Sequence, residues 1–272
     1  MTIHMNKFIY ILLAVLTLSS CSEYQKALKS DDVEFKTKVF TSQIEKKKYS
    51  KAIRLFEQYA TSYRGKPQGE SAFLNYAKAL YTTKQYITAA YQFESFASSY
   101  PKSVNAEEAA FLGAECYSKV SPRYSLDQVD TEKALSKIQV FVNKYPNSQY
   151  LPKANEIVKE LTEKLELKAF EIAKQYNTIG DYTRDYNAAI KALDNFVFNY
   201  PGSKYKEDAL FYKYDSMYKL AINSIPSKKQ ERLNLAKTYH QNLIKFKADT
   251  KYLEKSTKML ETVEKELKQY TN

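Results

Sequence analysis

The stretch YITAAYQFESFASSYPKS, residues 86–103, indicates the fold of the whole chain. Ala89, Phe93, Phe96 and Tyr100 stand 3, 7, 10 and 14 residues after Tyr86. Steps of four, three and four place these side chains on one face of a helix, with a small residue where a neighbouring backbone can approach closely. The stretch therefore predicts an amphipathic helix with a largely aromatic buried stripe.

The same spacing recurs along the chain. Copies run from Tyr49 to Tyr63, from Thr131 to Tyr145 and from Tyr186 to Tyr200, and a degenerate copy ends near Phe246. Self-similarity of this kind predicts stacked helical hairpins, because one hairpin cannot bury its apolar face alone.

The fifth copy fits two registers that differ by one residue. Either Leu235 and Phe246 or Ala236 and Leu243 are in phase with the other copies. The spacing alone leaves both registers open.

A proline follows the closing tyrosine in three copies, and a restart signal follows each proline. Proline disfavours a helical conformation in the residue before it, so it ends the helix. A serine two residues later can cap the next helix, and an alanine eight residues later supplies its small position. These residues are Pro101, Pro146 and Pro201, then Ser103, Ser148 and Ser203, then Ala109, Ala154 and Ala209.

The second copy and the segment before it fit the tetratricopeptide pattern, with Phe73, Tyr76, Ala77 and Leu80 ahead of the stripe. We therefore predict an all-α fold, a tetratricopeptide-like α-solenoid of about five helical hairpins. Extra length falls at residues 117–131 and 165–186, the second of which includes a predicted loop, NTIGDYTRDY. An ordinary helical bundle is the alternative, although the proline-serine-alanine restart need not recur in a bundle.

The N-terminus reads MTIHMNKFIYILLAVLTLSSC, with a basic residue before a short apolar run. The run is too short to span a membrane, so residues 1–20 are predicted to be a cleaved signal peptide. Leu18-Ser19-Ser20-Cys21 resembles the bacterial lipobox, which implies that Cys21 is acylated and begins the mature chain. Ser22 then implies sorting to the outer membrane, and residues 21–32 are predicted to form a lipidated tether. An ordinary secretory signal with an accidental cysteine is the alternative.

Charge and composition argue against nucleic-acid binding. The net charge is +11, but lysines intermixed with glutamates supply most of the basic groups, whereas nucleic-acid binders favour basic stripes and arginine. Attraction to anionic headgroups or to an acidic partner is the functional interpretation of this charge, and a solvated helix surface is the other.

The residue types that carry catalysis are sparse. His240 is the one histidine after the signal, Cys116 lies among apolar residues as an inert thiol, and the isolated glycines form no phosphate-binding loop. The sequence therefore predicts no enzyme, no catalytic site, no metal site and no cofactor.

The lipobox followed by irregular tetratricopeptide units resembles the BamD (ComL) family of outer-membrane assembly lipoproteins. The most specific stretches are VNKYPNSQYLPKANEIVKEL, residues 142–161, and LELKAFEIAKQYNTIGDY, residues 165–182. The resemblance implies a scaffold anchored by lipid on the periplasmic face of the outer membrane. It implies N-terminal repeats over 33–145 that receive unfolded outer-membrane proteins, and C-terminal repeats over 146–272 that dock periplasmic domains of the barrel-forming assembly protein.

Two sets of residues are candidates for these contacts. Lys78 and Tyr81 are expected to face the substrate groove, where lysine can meet a terminal carboxylate and tyrosine can stack on an aromatic side chain. Exposed residues without a ligand are the alternative. The partner-binding loop is expected to hold Asp181, Tyr182, Arg184 and Asp185.

Two other functions fit an exported repeat protein. One is a glycan-binding tetratricopeptide lipoprotein of an outer-membrane importer, against which the absence of tryptophan counts. The other is a periplasmic coordinator of cell-wall synthesis, for which a trimerising coiled coil would be expected and is not visible in the sequence.

Overall fold

The computed structural model describes residues 22–63 and 66–270, and its regular elements within those ranges are helices. The prediction of an all-α fold is confirmed. The α-helices are α1 (Ser22–Lys29), α2 (Val33–Glu45), α3 (Tyr49–Phe56), α4 (Ala60–Tyr63), α5 (Glu70–Thr82), α6 (Tyr86–Ser99), α7 (Ala106–Val120), α8 (Val129–Lys144), α9 (Leu151–Thr183), α10 (Asn187–Asn199), α11 (Lys206–Ile222), α12 (Pro226–Phe246) and α13 (Leu253–Leu267). Short 3₁₀ turns cover Pro67–Gly69 and Lys268–Tyr270.

Successive helices pair as tetratricopeptide-like hairpins. In the described part of the chain the pairs are α2 with α3, α5 with α6, α7 with α8, and α11 with α12, and α13 packs beside the last pair. Helix α9 pairs with α10 through the packing of Phe170 on Leu193 and Phe196. Each predicted stripe begins on the second helix of its hairpin, and each proline restart precedes a first helix.

The chain divides into two compact units. Among the described residues, the first contains 22–63, 66–122 and 128–158, and the second contains 123–127 and 159–270. In the second unit, Leu193 and Phe196 pack with Phe170, and a larger cluster surrounds Phe211 and Tyr214. Both clusters of the second unit combine aromatic rings with aliphatic side chains and alanines.

The small position of the stripe is fully buried in every copy. Ala52, Ala89, Ala134, Ala189 and Ala236 each have 0% of their surface exposed. A larger side chain at these positions would have no space, since protein interiors are close-packed.

Burial decides the register of the fifth copy. Ala236 and Leu243 are fully buried, whereas Leu235 and Phe246 are 37% and 45% exposed. In this register His240 occupies the position that Phe56, Phe93, Ile138 and Leu193 fill in the other copies, and Lys247 replaces the closing tyrosine. Of the two registers that the spacing leaves open, the structure therefore has the one with Ala236 and Leu243, which closes at Lys247, one residue after Phe246.

The restart serines do not cap the following helices as predicted. Ser103 Oγ accepts a hydrogen bond from the Asn105 backbone N at 3.1 Å, one residue before α7 begins, and the Asn105 side chain makes no cap. The Ser103 hydroxyl also donates to Glu70 Oε1 at 2.5 Å, and the Ser148 hydroxyl donates to Glu107 Oε1 at the same distance. The serines therefore tie the opening turn of one hairpin to a carboxylate in the first helix of the hairpin before it.

Two local expectations also differ from the structure. Residues 22–29, expected to belong to a tether ahead of the first helix, form α1, in which Tyr24 and Ala27 are buried. The first copy of the stripe is not one continuous helix, because α3 ends at Phe56 and a turn precedes α4. In that turn the Tyr59 N–H donates to Phe56 O at 3.0 Å, a three-residue step that tightens the helix.

Candidate binding surfaces

Lys78 and Tyr81 lie one helical turn apart on α5, and both contact acidic residues of α7. Lys78 Nζ pairs with Glu108 Oε2 at 2.9 Å, and the Tyr81 hydroxyl donates to Glu115 Oε2 at 3.2 Å. Burial and the neighbouring Glu115 carboxylate raise the pKa of Tyr81, so its hydroxyl stays protonated and able to donate. Neither side chain is free of intramolecular partners.

Glu115 is the centre of this first surface. Its side chain is 1% exposed, and its Oε1 accepts from Lys153 Nζ at 2.9 Å and lies 3.5 Å from Lys119 Nζ. A buried carboxylate needs such partners, because an unpaired buried charge is strongly unfavourable. We call Lys78, Tyr81, Glu115, Lys119 and Lys153 the groove cluster.

The lysines of the groove cluster keep exposed ends. The side chains of Lys78, Lys119 and Lys153 are 41%, 42% and 54% exposed. Lys153 Nζ also lies 5.5 Å from the centre of the Phe111 ring. Phe111 itself is only 1% exposed, so the cluster presents ammonium groups rather than an aromatic surface, which suits a ligand with a carboxylate.

Sequence reasoning missed Glu108, Glu115, Lys119 and Lys153 as parts of this surface. One signal was present, since Glu115 interrupts the apolar run of AEEAAFLGAECYSKV, residues 106–120. A charged residue at a helical position that should be buried indicates a charged partner on a neighbouring element. The same run buries Cys116, and burial raises the pKa of its thiol to about 12, which keeps it protonated.

The predicted partner-binding loop is mostly helical. Helix α9 continues to Thr183, so only the residues from Arg184 to Tyr186 connect it to α10. Gly180 lets the Tyr186 ring approach the end of α9, because a Cβ at that position would lie 2.5 Å from Tyr186 Cδ1. The turn is therefore shorter than the sequence predicted.

Both acidic residues of this segment have structural partners. Asp181 Oδ1 accepts from Lys219 Nζ and from the Tyr186 hydroxyl, each at 2.8 Å. The hydrogen bond from Lys219 is the main cause of the lowered pKa of Asp181. Asp185 Oδ1 accepts from the Asn187 backbone N at 2.9 Å and so holds the start of α10.

Arg184 occupies a turn position that recurs in the hairpins. Its φ is 61°, in the left-handed region, and Lys47 and Lys84 have φ values of 54° and 61° at the ends of α2 and α5. The sequence did not predict this shared backbone conformation. It arises because the short hairpin turns need a left-handed residue after the first helix.

An apolar stripe lies on the exposed face of α9 just before this turn. Ile172, Tyr176, Ile179 and Tyr182 are 47%, 41%, 44% and 85% exposed, and steps of four, three and three keep them on one side of the helix. We call these four residues the α9 stripe. Of the four, only Tyr182 was predicted as a contact.

A cleft of about 410 Å³ borders the α9 stripe in the second unit. Its lining includes Tyr124 and Ser125 on one side and Lys168, Ile172 and Gln175 of α9 on the other. Large exposed apolar residues beside a cleft are typical of protein-binding surfaces.

Residues 22–63 and 66–270 hold no group of three or more His, Cys, Asp or Glu side chains placed to bind a metal. No helix in those ranges is both long and apolar enough to cross a membrane. Cys21, the predicted lipidation site, lies outside the described residues.

Comparison with known proteins gives a family and several relatives. The family YfiO, described as outer membrane lipoprotein, matches residues 33–233. A protein of Aquifex aeolicus assigned as outer membrane protein assembly factor BamD is 27% identical over 255 residues, which cover 92% of this chain and 82% of that protein. The outer membrane protein assembly factor BamD of Haemophilus influenzae is 25% identical over 83% of this chain and 89% of its own length. The protein of the same name in Caulobacter vibrioides is 24% identical over 64% of this chain and 56% of its own length.

Proposed function

This chain belongs to the YfiO family of outer membrane lipoproteins, as a protein of the BamD type, and we propose that its role in outer-membrane protein assembly is that of a non-catalytic scaffold. The scaffold holds a periplasmic domain of the barrel-forming assembly protein on its second unit. It receives unfolded outer-membrane proteins on its first unit. Lipid on Cys21 keeps it at the periplasmic face of the outer membrane.

The α9 stripe is the observation that carries the docking proposal. Two tyrosines and two isoleucines stand exposed on one face of a helix, although their burial would be favourable by about 25 cal/mol for each Å² of apolar surface. Tyrosine is among the residues that most often dominate binding energy at protein interfaces. The adjoining cleft offers a concave surface for a partner side chain.

The groove cluster supports the substrate role. An unfolded barrel protein offers apolar and aromatic side chains, and its C-terminus offers a carboxylate. Lys78, Lys119 and Lys153 present exposed ammonium groups for the carboxylate, and Phe111 lies beneath Lys153. Because Glu115 already neutralises part of this charge, we expect weak binding suited to substrate release.

The docking proposal is tested by measuring the affinity of the purified chain for periplasmic domains of the barrel-forming assembly protein. Tyr176→Ser with Ile179→Ser should weaken binding by about tenfold or more, since each substitution removes exposed apolar contact area. Phe198→Ser is the matched control, because Phe198 lies in the same unit on α10, is 84% exposed and is outside the stripe. Equal affinity for the double variant and the control would exclude the α9 stripe as the docking surface.

A further inference from the structure

Three consecutive lysines form the turn between α2 and α3. Lys46, Lys47 and Lys48 are all exposed. The turn has a defined backbone, because Lys47 has a φ of 54° and the Lys48 N–H donates to Gln43 O at 2.8 Å. The three side chains therefore project into solvent from one turn with a defined backbone.

Lys51 and Arg54 continue the same basic surface along α3. They stand three and six residues after Lys48, which places them on the same side of the helix, and both are exposed. No ion pair within residues 22–63 and 66–270 includes any of these five basic side chains. We call Lys46, Lys47, Lys48, Lys51 and Arg54 the basic edge.

Helix α1 contacts the basic edge through Tyr24. Tyr24 of α1 is 8% exposed, and Lys51 Nζ lies 5.2 Å from the centre of its ring. The positive charge of Arg54 also acts on the Tyr24 hydroxyl and opposes the rise in its pKa that burial causes. Tyr24 is three residues from Cys21, a separation that an extended chain spans in about 11 Å at most.

The charge balance at this edge is positive. The exposed carboxylates nearest to these residues in the sequence are Glu23, Glu45 and Glu57, and Lys26 of α1 adds a further exposed ammonium group, so basic groups still outnumber acidic ones. Basic groups attract an anionic bilayer surface over a Debye length, which is about 10 Å at about 0.1 M salt. The Debye length is therefore similar to the largest distance that can separate Tyr24 from Cys21.

We propose that the basic edge binds anionic phospholipid headgroups in the membrane leaflet that holds the chain's own lipid. The inference rests on the proposed Cys21 anchor for bringing the edge to a membrane, but the electrostatic attraction does not need the acyl chains. Contact with headgroups would orient the first unit at the membrane, whereas an acyl anchor at a single residue would leave its orientation free. Lysine side chains suit this task, because their long stems let the ammonium groups reach the headgroup layer.

Flotation of the full mature chain with Cys21→Ala separates charge from acylation. The non-acylated chain should float with vesicles of phosphatidylcholine mixed with phosphatidylglycerol and stay behind with vesicles of phosphatidylcholine alone. Raised sodium chloride should abolish the association. Lys46→Gln, Lys48→Gln and Arg54→Gln together should weaken it by about tenfold or more. Glutamine is compatible with the turn, since Gln85 holds the position of Lys48 in the next hairpin.

The matched control removes the same charge elsewhere. Lys191→Gln, Lys228→Gln and Lys245→Gln change three exposed lysines of the second unit and should leave vesicle binding unchanged. Equal loss in the two triple variants, or equal binding to both kinds of vesicle, would overturn the proposal. The acylated wild-type chain is run in parallel on phosphatidylcholine alone. Its failure to float there would count against the lipid anchor and leave the result for the basic edge intact.

Discussion

Glu207 Oε1 accepts a hydrogen bond from the Thr250 hydroxyl at 2.7 Å, although the two residues are 43 positions apart. The same carboxylate accepts from the Lys251 backbone N and from Lys247 Nζ, each at 2.9 Å. The contact joins the first helix of the fifth hairpin to the turn that opens α13. It repeats the pairing of Glu70 with Ser103, which places a carboxylate and a hydroxyl at the joints between successive hairpins.

Glu207→Gln should destabilise the protein at neutral pH and have little effect in strong acid. The hydrogen bond from Thr250 is the main cause that lowers the pKa of Glu207 from 4.5 to about 2. Because the folded pKa is the lower one, the stabilisation is complete above the unfolded value and is lost as pH falls toward about 2. Lowering by about 2.5 pKa units at about 1.36 kcal/mol per unit corresponds to about 3.4 kcal/mol, which is the upper limit of the cost that we expect at neutral pH.

Denaturant unfolding of the wild type and the variant across this pH range measures the effect. Glu254→Gln is the control, because its side chain is 85% exposed and pairs with Lys258 within one helix. Exposed pairs of this kind contribute about 0.3 to 0.5 kcal/mol. A Glu207→Gln cost that does not shrink in acid would show that the carboxylate charge is not what holds the joint.

His240→Phe should make the protein less sensitive to mild acid. His240 is 8% exposed in the position that an apolar residue fills in the other copies, and its Nε2 is buried without a hydrogen-bond partner in the described structure. Burial lowers its pKa, an effect partly opposed by Glu264 of α13, while the Tyr214 ring of α11 lies 5.3 Å away. The unfolded chain therefore binds the proton more readily, so stability falls as pH drops below about 6.5.

Thermal melts near neutral pH and near pH 5 compare the two proteins. The wild type should lose more of its melting temperature than His240→Phe over this interval. At neutral pH the variant should be at least as stable, because a buried polar atom without a partner costs about 1 to 3 kcal/mol. Parallel pH dependence in the two proteins would contradict this role for His240.

Ala89→Leu should overpack the second hairpin. Ala89 is fully buried, and small-to-large changes in a packed core cost about 1 to 3 kcal/mol. Ala188→Leu is the control, because Ala188 is exposed on α10 and has room for the larger side chain. Chemical denaturation gives the comparison, and equal unfolding free energies for the two variants would contradict the packing of the small position.

Features that depend only on helix geometry could be predicted from the local sequence. The spacing of Ala89, Phe93 and Phe96 follows from helix geometry alone, so the buried faces were predictable. The register of the fifth copy was not, because the choice between Ala236 and Leu235 depends on how closely a neighbouring helix approaches.

Partners distant in sequence account for most of the remaining differences. Ser103 has the right type and place for a cap, but its hydroxyl meets Glu70, which is 33 residues away. Lys78 and Tyr81 were placed on a helix correctly, yet Glu108 and Glu115 come from the next hairpin. The α9 stripe was hidden because a loop was expected where the helix continues, and a helical period cannot be seen across a predicted loop.

Lys78→Gln with Lys119→Gln should weaken binding of peptides that end in a free carboxylate. The two lysines supply exposed ammonium groups to the groove cluster, while Lys153 still pairs with the buried Glu115 and preserves the fold. Losing two charge-assisted contacts should reduce affinity for a barrel-derived C-terminal peptide by about tenfold.

The same peptide with an amidated C-terminus is the ligand control, and it should bind the wild type and the variant alike. The variant should also bind the assembly-protein domain normally, because that domain is expected on the second unit. A free peptide that does not distinguish the wild type from the variant would exclude the groove cluster as the carboxylate site.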